Sequence, residues 1–151
     1  MGFLKRVENT LSSFSEFQRK RLENSLRRKE NLIIDDPAIS SGIPILKTGI
    51  EQNHLSIPDS IKSLPSDKQI AWLTSQIAIK YIPDGGEFTK ELDAETLSLY
   101  RLVLAKGILQ IEKPNRSLKP VAEELNIGWA DCISIFYQAT QIAVSTAITI
   151  D

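Results

Sequence analysis

The chain has one cysteine and one histidine, Cys132 and His54, and a thiol beside an imidazole is the smallest pair here that could carry nucleophilic chemistry. Cys132 stands among Ala130, Ile133 and Ile135, apolar neighbours that predict a buried thiol, whereas a reactive thiol needs exposure. His54 falls in a segment interrupted by prolines, and the chain contains no Gly-x-Ser-x-Gly elbow. One Cys and one His cannot complete the usual nitrogen and sulfur ligand set of zinc. The stretch DGGEFTKELDAE, residues 84–95, gathers Asp84, Glu87, Glu91, Asp93 and Glu95. It lacks the alternating oxygen ligands and closing bidentate Glu of a calcium loop, and carboxylates placed there suit a turn followed by a helix start. Asp84-Gly85-Gly86 is not followed by Gly-Lys-Ser/Thr, so no phosphate loop is expected. These residues predict no catalytic group, no metal site and no cofactor.

What remains is surface. The formal net charge is −1, and it conceals an asymmetry. Residues 1–34 hold eight basic and four acidic residues, a balance of +4, and the remainder holds ten basic and fifteen acidic, a balance of −5. A basic arm on an acidic body bears on partners rather than on fold. The arm has no proline and no glycine between residues 3 and 31, and it is rich in Leu, Glu, Arg and Lys, which favour helix. Leu4, Val7, Leu11, Phe14, Leu22, Leu26 and Ile33 share one broad face at helical spacing, and Phe3 and Phe17 add to its apolar character. Glu16/Lys20 and Glu23/Arg27 have the acid-first order that favours ion pairing along a helix. The reading is one long amphipathic helix over residues 1–34. It has a partner-binding stripe of Leu4, Val7, Leu11, Phe14 and Phe17, and a basic patch of Arg19, Lys20, Arg21, Arg27, Arg28 and Lys29.

The elements that position this arm read as an all-α protein, a small helical bundle. Residues 35–65 carry four prolines and two glycines among Ile39, Ile43, Ile45, Leu46, Ile50, Leu55, Ile57 and Ile61. Proline removes a backbone donor and restrains its predecessor, so the segment reads as an extended connector, with a short strand near Ile43 to Ile50 as an alternative. Residues 66–151 read as a compact helical domain. Ser66 with Gln69 has the capping-box pattern, and Ile70, Leu73, Ile77 and Tyr81 form a stripe closed by Pro83-Asp84-Gly85-Gly86. Trp72 lies off that stripe and is either a second-layer core aromatic or an exposed binding anchor. A helix from about Asp93 to Ile111 is apolar almost all round, as central helices are. A final helix from Trp129 would bury Ile133, Phe136, Thr140, Ala143 and Ala147, although TQIAVSTAITID has the β-branched content of a strand.

Between these two helices lies SLKPVAEELNIGWADCISIF, residues 117–136. Ser117 suits an N-cap, Pro120 a first turn, and Asn126 the left-handed residue that ends a helix. The segment resembles a bacterial helix-turn-helix, with Ala122 at the tight crossing, Leu125 before the turn and Ile127 after it. Cys132 and Ile135 are the inward residues of its second helix, and Asn126 stands where the family commonly has Gly. The resemblance implies that the start of the second helix reads base edges. There the chain offers Trp129, Ala130, Asp131, Ile133 and Ser134, with no Arg or Lys for guanine and an acid that phosphate repels. Lys113, Arg116 and Lys119 could touch phosphates, which positions a protein without specifying sequence.

The expectation is a non-catalytic adaptor or regulatory protein that binds another protein and self-associates. The alternative is a nucleic-acid binder using the basic arm and the helix-turn-helix-like segment, and a membrane-surface protein comes third. No apolar run approaches the roughly 20 residues of a membrane span. The start MGFLKRVENTLSSF lacks a signal-peptide core, Arg6 departs from a myristoylation start, and Asn115-Arg116-Ser117 has no secretory context, so the chain reads as cytoplasmic.

Overall fold

The structure is a computed structural model that describes residues 16–52, 57–87, 89–111, 113–114 and 116–150. Leu4, Val7, Leu11, Phe14 and His54 therefore lie outside the described residues. The described elements are all helical: α1 (Glu16–Ile34), α2 (Pro37–Ser40), α3 (Ile43–Gln52), α4 (Asp59–Lys62), α5 (Ser66–Tyr81), α6 (Ala94–Ile111), α7 (Lys119–Leu125) and α8 (Trp129–Ile150). They pack as a small all-α bundle with one hydrophobic cluster running from Ile34 to Ala147.

The connector is not extended, and Ile43 to Ile50 is not a strand; residues 35–65 hold α2, α3 and α4. The reason lies in where the prolines fall. Pro37 opens α2, Pro44 is the second residue of α3, and Pro58 and Pro65 precede α4 and α5. At a helix start the missing N–H has no partner to lose, so each proline begins a helix instead of preventing one. Asp36 caps α2 by accepting the Ala38 N–H at 2.9 Å. Ile39, Ile43 and Leu46 then follow at helical spacing and are buried, which fixes the segment against α5 and α8.

Helix α5 begins without the expected capping box. Pro65 holds the cap position, and Gln69 Nε2 instead donates to the carbonyls of Lys62 and Leu64 at 3.1 and 2.8 Å, tying α4 to α5. Its buried face is Leu73, Thr74, Ile77, Ala78 and Tyr81, and Ile70 is exposed, one turn short of the core. Asp93 caps α6, accepting the Thr96 N–H at 2.7 Å, and that bond holds its carboxyl below the usual carboxylate range.

The hub is α8 rather than α6, since α8 packs against α1, α2, α3, α5, α6 and α7. It is helical to Ile150, so its β-branched end does not form a strand. Ile133, Phe136, Ala139, Thr140, Ala143 and Ala147 are fully buried along it, and Thr140 satisfies its hydroxyl on the Phe136 carbonyl at 2.7 Å. Burial of that row on every side outweighs an intrinsic preference worth a few tenths of a kcal/mol per residue. Small residues permit the close packing: a Cβ on Gly107 of α6 would lie 2.5 Å from Phe136 Cδ2 and Cε2.

Candidate interaction surface

Helix α1 has two faces with opposite chemistry. Its inner face carries Leu26, Glu30, Ile33 and Ile34 against α8 and the start of α7, and Glu30 is only 2% exposed. A buried carboxylate is costly unless several donors meet it. Glu30 Oε2 accepts the Leu118 backbone N–H at 2.7 Å and the Trp129 indole N–H at 2.9 Å, and the Ser117 hydroxyl donates to it at 3.5 Å. Hydrogen bonds to a charged acceptor are worth about 1.5–3 kcal/mol, more than neutral ones. The helix-turn-helix-like pair is thereby fastened to α1 at the junction before α7 and at the first residue of α8.

This corrects the reading of Ser117 as the N-cap. Leu118 takes that position without a side-chain cap bond, and its N–H is held by Glu30 from 88 residues away. Ser117 is buried and its hydroxyl accepts the Lys119 N–H at 3.2 Å. Around this centre, Arg116 pairs with Asp35 at 2.6 Å, and Lys119 Nζ lies 3.9 Å from Glu23 and 5.5 Å from the Trp129 ring centre. These rim pairs are half exposed, so each contributes about 0–1 kcal/mol and mainly orients the arm. Among the described residues neither Glu23/Arg27 nor Glu16/Lys20 is paired; the exposed Glu23 carboxylate lies beside Lys119 instead.

The helix-turn-helix-like shape is present. Asn126 is left-handed at φ 59°, the Ile127 N–H reaches the Ala122 carbonyl at 3.0 Å, and Ala122, Ile127 and Cys132 are buried. The side chains expected to face bases are differently used: Ile133 is in the core, and Trp129 is 9% exposed with its N–H held by Glu30. Cys132 is fully buried, its Sγ 3.9 Å from the Leu118 carbonyl. Burial, and then the charge of Glu30, pushes its thiol up to about 12, so it remains protonated at neutral pH.

The exposed surface of α1, which reaches round its flanks, is the opposite case. Arg19, Lys20, Arg21, Arg27, Arg28 and Lys29 are all exposed, and none forms an ion pair among the described residues. Phe17 is 73% and Leu32 75% exposed. At about 100° per residue, Phe17, Arg21, Arg28 and Leu32 fall within a stripe about 60° wide, diametrically opposite Glu30. The lower end of the stripe borders an open groove lined by Arg28, Asn31, Leu32, Asp35, Asp36 and Pro37. Trp72 is not part of this surface: it is half-buried on α5, whose packing partners are α3, α4, α6 and α8. In the acidic stretch, Asp84 pairs with Arg101 at 3.1 Å, Asp93 caps α6, and Glu87, Glu91 and Glu95 are exposed. Among the described residues no three His, Cys, Asp or Glu side chains converge, and no helix is long and apolar enough to cross a membrane.

Glu30 is the residue that reading the sequence missed. Its signal was an acid on an apolar helical row, with Leu22 and Leu26 before it and Ile33 after it. Compared with protein-family models, with curated proteins and with solved structures, the chain matches none of them.

Proposed function

We propose that the chain is a non-catalytic adaptor or regulatory protein that binds another protein through the outward face of α1, and we read it as cytoplasmic because its one thiol is buried and unpaired. The observation that carries this reading is the Phe17–Arg21–Arg28–Leu32 stripe, two guanidinium groups interleaved with two exposed apolar side chains. Aromatic and arginine side chains dominate binding energy at protein interfaces. The stripe sits on a helix pinned from behind by Glu30, which limits the conformational entropy lost on binding. Arg19, Lys20, Arg27 and Lys29 widen the cationic field and steer an acidic partner.

A nucleic-acid binder is the second reading, favoured by the same six cations, which form no ion pair among the described residues. The two differ in salt response and in their need for the apolar side chains. The test is capture of host proteins on the wild-type chain and on an Arg21→Glu/Arg28→Glu variant, with a random-sequence DNA duplex titrated against both. A protein retained by the first and lost from the second, and lost again from Phe17→Ala/Leu32→Ala, supports the adaptor reading. Duplex binding that falls steeply between 50 and 200 mM salt, about 10³-fold or more for six phosphate contacts, gives the assignment to nucleic acid instead.

A further inference from the structure

Among the described residues the six cations of α1 form no ion pair, and several carboxylates of the body form none either. Glu87 and Glu91, in the turn region between α5 and α6, and Glu95, in the first turn of α6, are exposed and form no ion pair among the described residues. Asp93 beside them is exposed and anionic, its carboxylate used only to cap α6. Among the described residues the only nearby pairing is that of Asp84 with Arg101, so the rim keeps a negative excess that Lys90 alone does not cancel. Across the whole chain the balance is +4 for residues 1–34 against −5 for the rest. A net charge of −1 leaves no long-range repulsion between copies, which is the condition under which association is favoured.

We infer that the outward face of α1 is covered by a second copy of this chain, with Arg21 and Arg28 of one copy meeting the acidic rim around Glu87 and Glu91 of the other. This rests on the reading of α1 as a protein-binding face and names the partner for that face. The contact joins two different patches, arm to rim, so a closed dimer makes it twice. Phe17 and Leu32 lie within the stripe and are removed from water when it is covered, which adds apolar burial to the charge pairing.

The complementarity makes a charge-exchange experiment decisive. Mass is measured by light scattering over a concentration series at low salt for the wild type, for Arg21→Glu/Arg28→Glu, for Glu87→Lys/Glu91→Lys, and for a one-to-one mixture of the two variants. The wild type is expected to rise above 16.9 kDa toward twice that mass. Each variant alone presents like charges arm to rim and associates about tenfold or more weakly. The mixture restores both contacts, because the acidic arm of one variant meets the basic rim of the other, and its mass recovers. A wild type that stays monomeric, a variant that associates as well as wild type, or a mixture that fails to recover overturns the inference. If the wild type is monomeric yet captures a host protein that Arg21→Glu/Arg28→Glu does not, this inference fails and the adaptor reading stands.

Discussion

Trp129 donates its indole N–H to the carboxylate of Glu30 at 2.9 Å, across 99 residues of sequence, and the same oxygen holds the Leu118 N–H. One side chain of α1 thus satisfies a donor on each half of the helix-turn-helix-like pair, and α1 becomes part of the body instead of an appendage.

Truncating this carboxylate strands two buried N–H donors, those of Leu118 and Trp129, and removes the acceptor of the Ser117 hydroxyl. Glu30→Ala is expected to lose about 3–5 kcal/mol in urea unfolding, and Glu30→Gln less, since its amide oxygen can still accept. The Trp129 emission should shift to the red in the Ala variant as α1 loosens. An Ala variant within 1 kcal/mol of wild type would show that the contact does not hold the arm.

The Cys132 thiol is raised from 9.0 to about 12 by burial and by Glu30. Below about pH 9 both folded and unfolded thiols are protonated, and the contribution is fully present. From there to about 12 the unfolded chain releases its proton while the native chain keeps it, so stability falls as pH rises. Urea midpoints of wild type and Cys132→Ala, compared at pH 8, 9 and 10, should converge with rising pH because the variant lacks this loss. A constant difference would contradict the assignment. In the native state at pH 8 the thiol should not react with an aromatic disulfide reagent until the chain unfolds.

Gly107→Ala tests the contact of α6 with α8. Alanine favours helix over glycine by about 1 kcal/mol. Its Cβ, however, would stand 2.5 Å from two ring carbons of the fully buried Phe136, and overpacking of that kind costs about 1–3 kcal/mol. The variant should be less stable than wild type in thermal unfolding, and a rise in Tm would refute the packing described.

Arg21→Ala and Arg28→Ala should leave the unfolding free energy within about 0.5 kcal/mol of wild type, since both side chains are exposed and form no ion pair among the described residues. A larger loss, by chemical denaturation, would mean that these residues serve the fold and not a partner.

Much of the fold was legible because helical periodicity is local. The spacing of Leu73, Ile77 and Tyr81 located α5, and every member of the row Ile133, Phe136, Thr140, Ala143 and Ala147 is buried on α8, where Ala139 joins them. The helices of the connector were not legible because proline breaks a helix everywhere except at its start. Pro37, Pro44, Pro58 and Pro65 all stand at helix starts, where that property is harmless, and the Ile39–Ile43–Leu46 spacing behind them was already helical. The capping box at Ser66 and the N-cap at Ser117 failed for a different reason: the groups that replaced them, Pro65 and Glu30, are chosen by what packs alongside.

The candidate surface was legible only as a set of charges. Composition alone marked Arg19, Lys20, Arg21, Arg27, Arg28 and Lys29 as a basic patch, because net charge and helical propensity depend on residue type and near neighbours. That Arg21 and Arg28 are the ones facing away from the body was decided by burial of Glu30, and that depends on Leu118 and Trp129, 88 and 99 residues away. A carboxylate leaves water only where donors converge on it, and the three-dimensional packing of α7 and α8 brings those donors together.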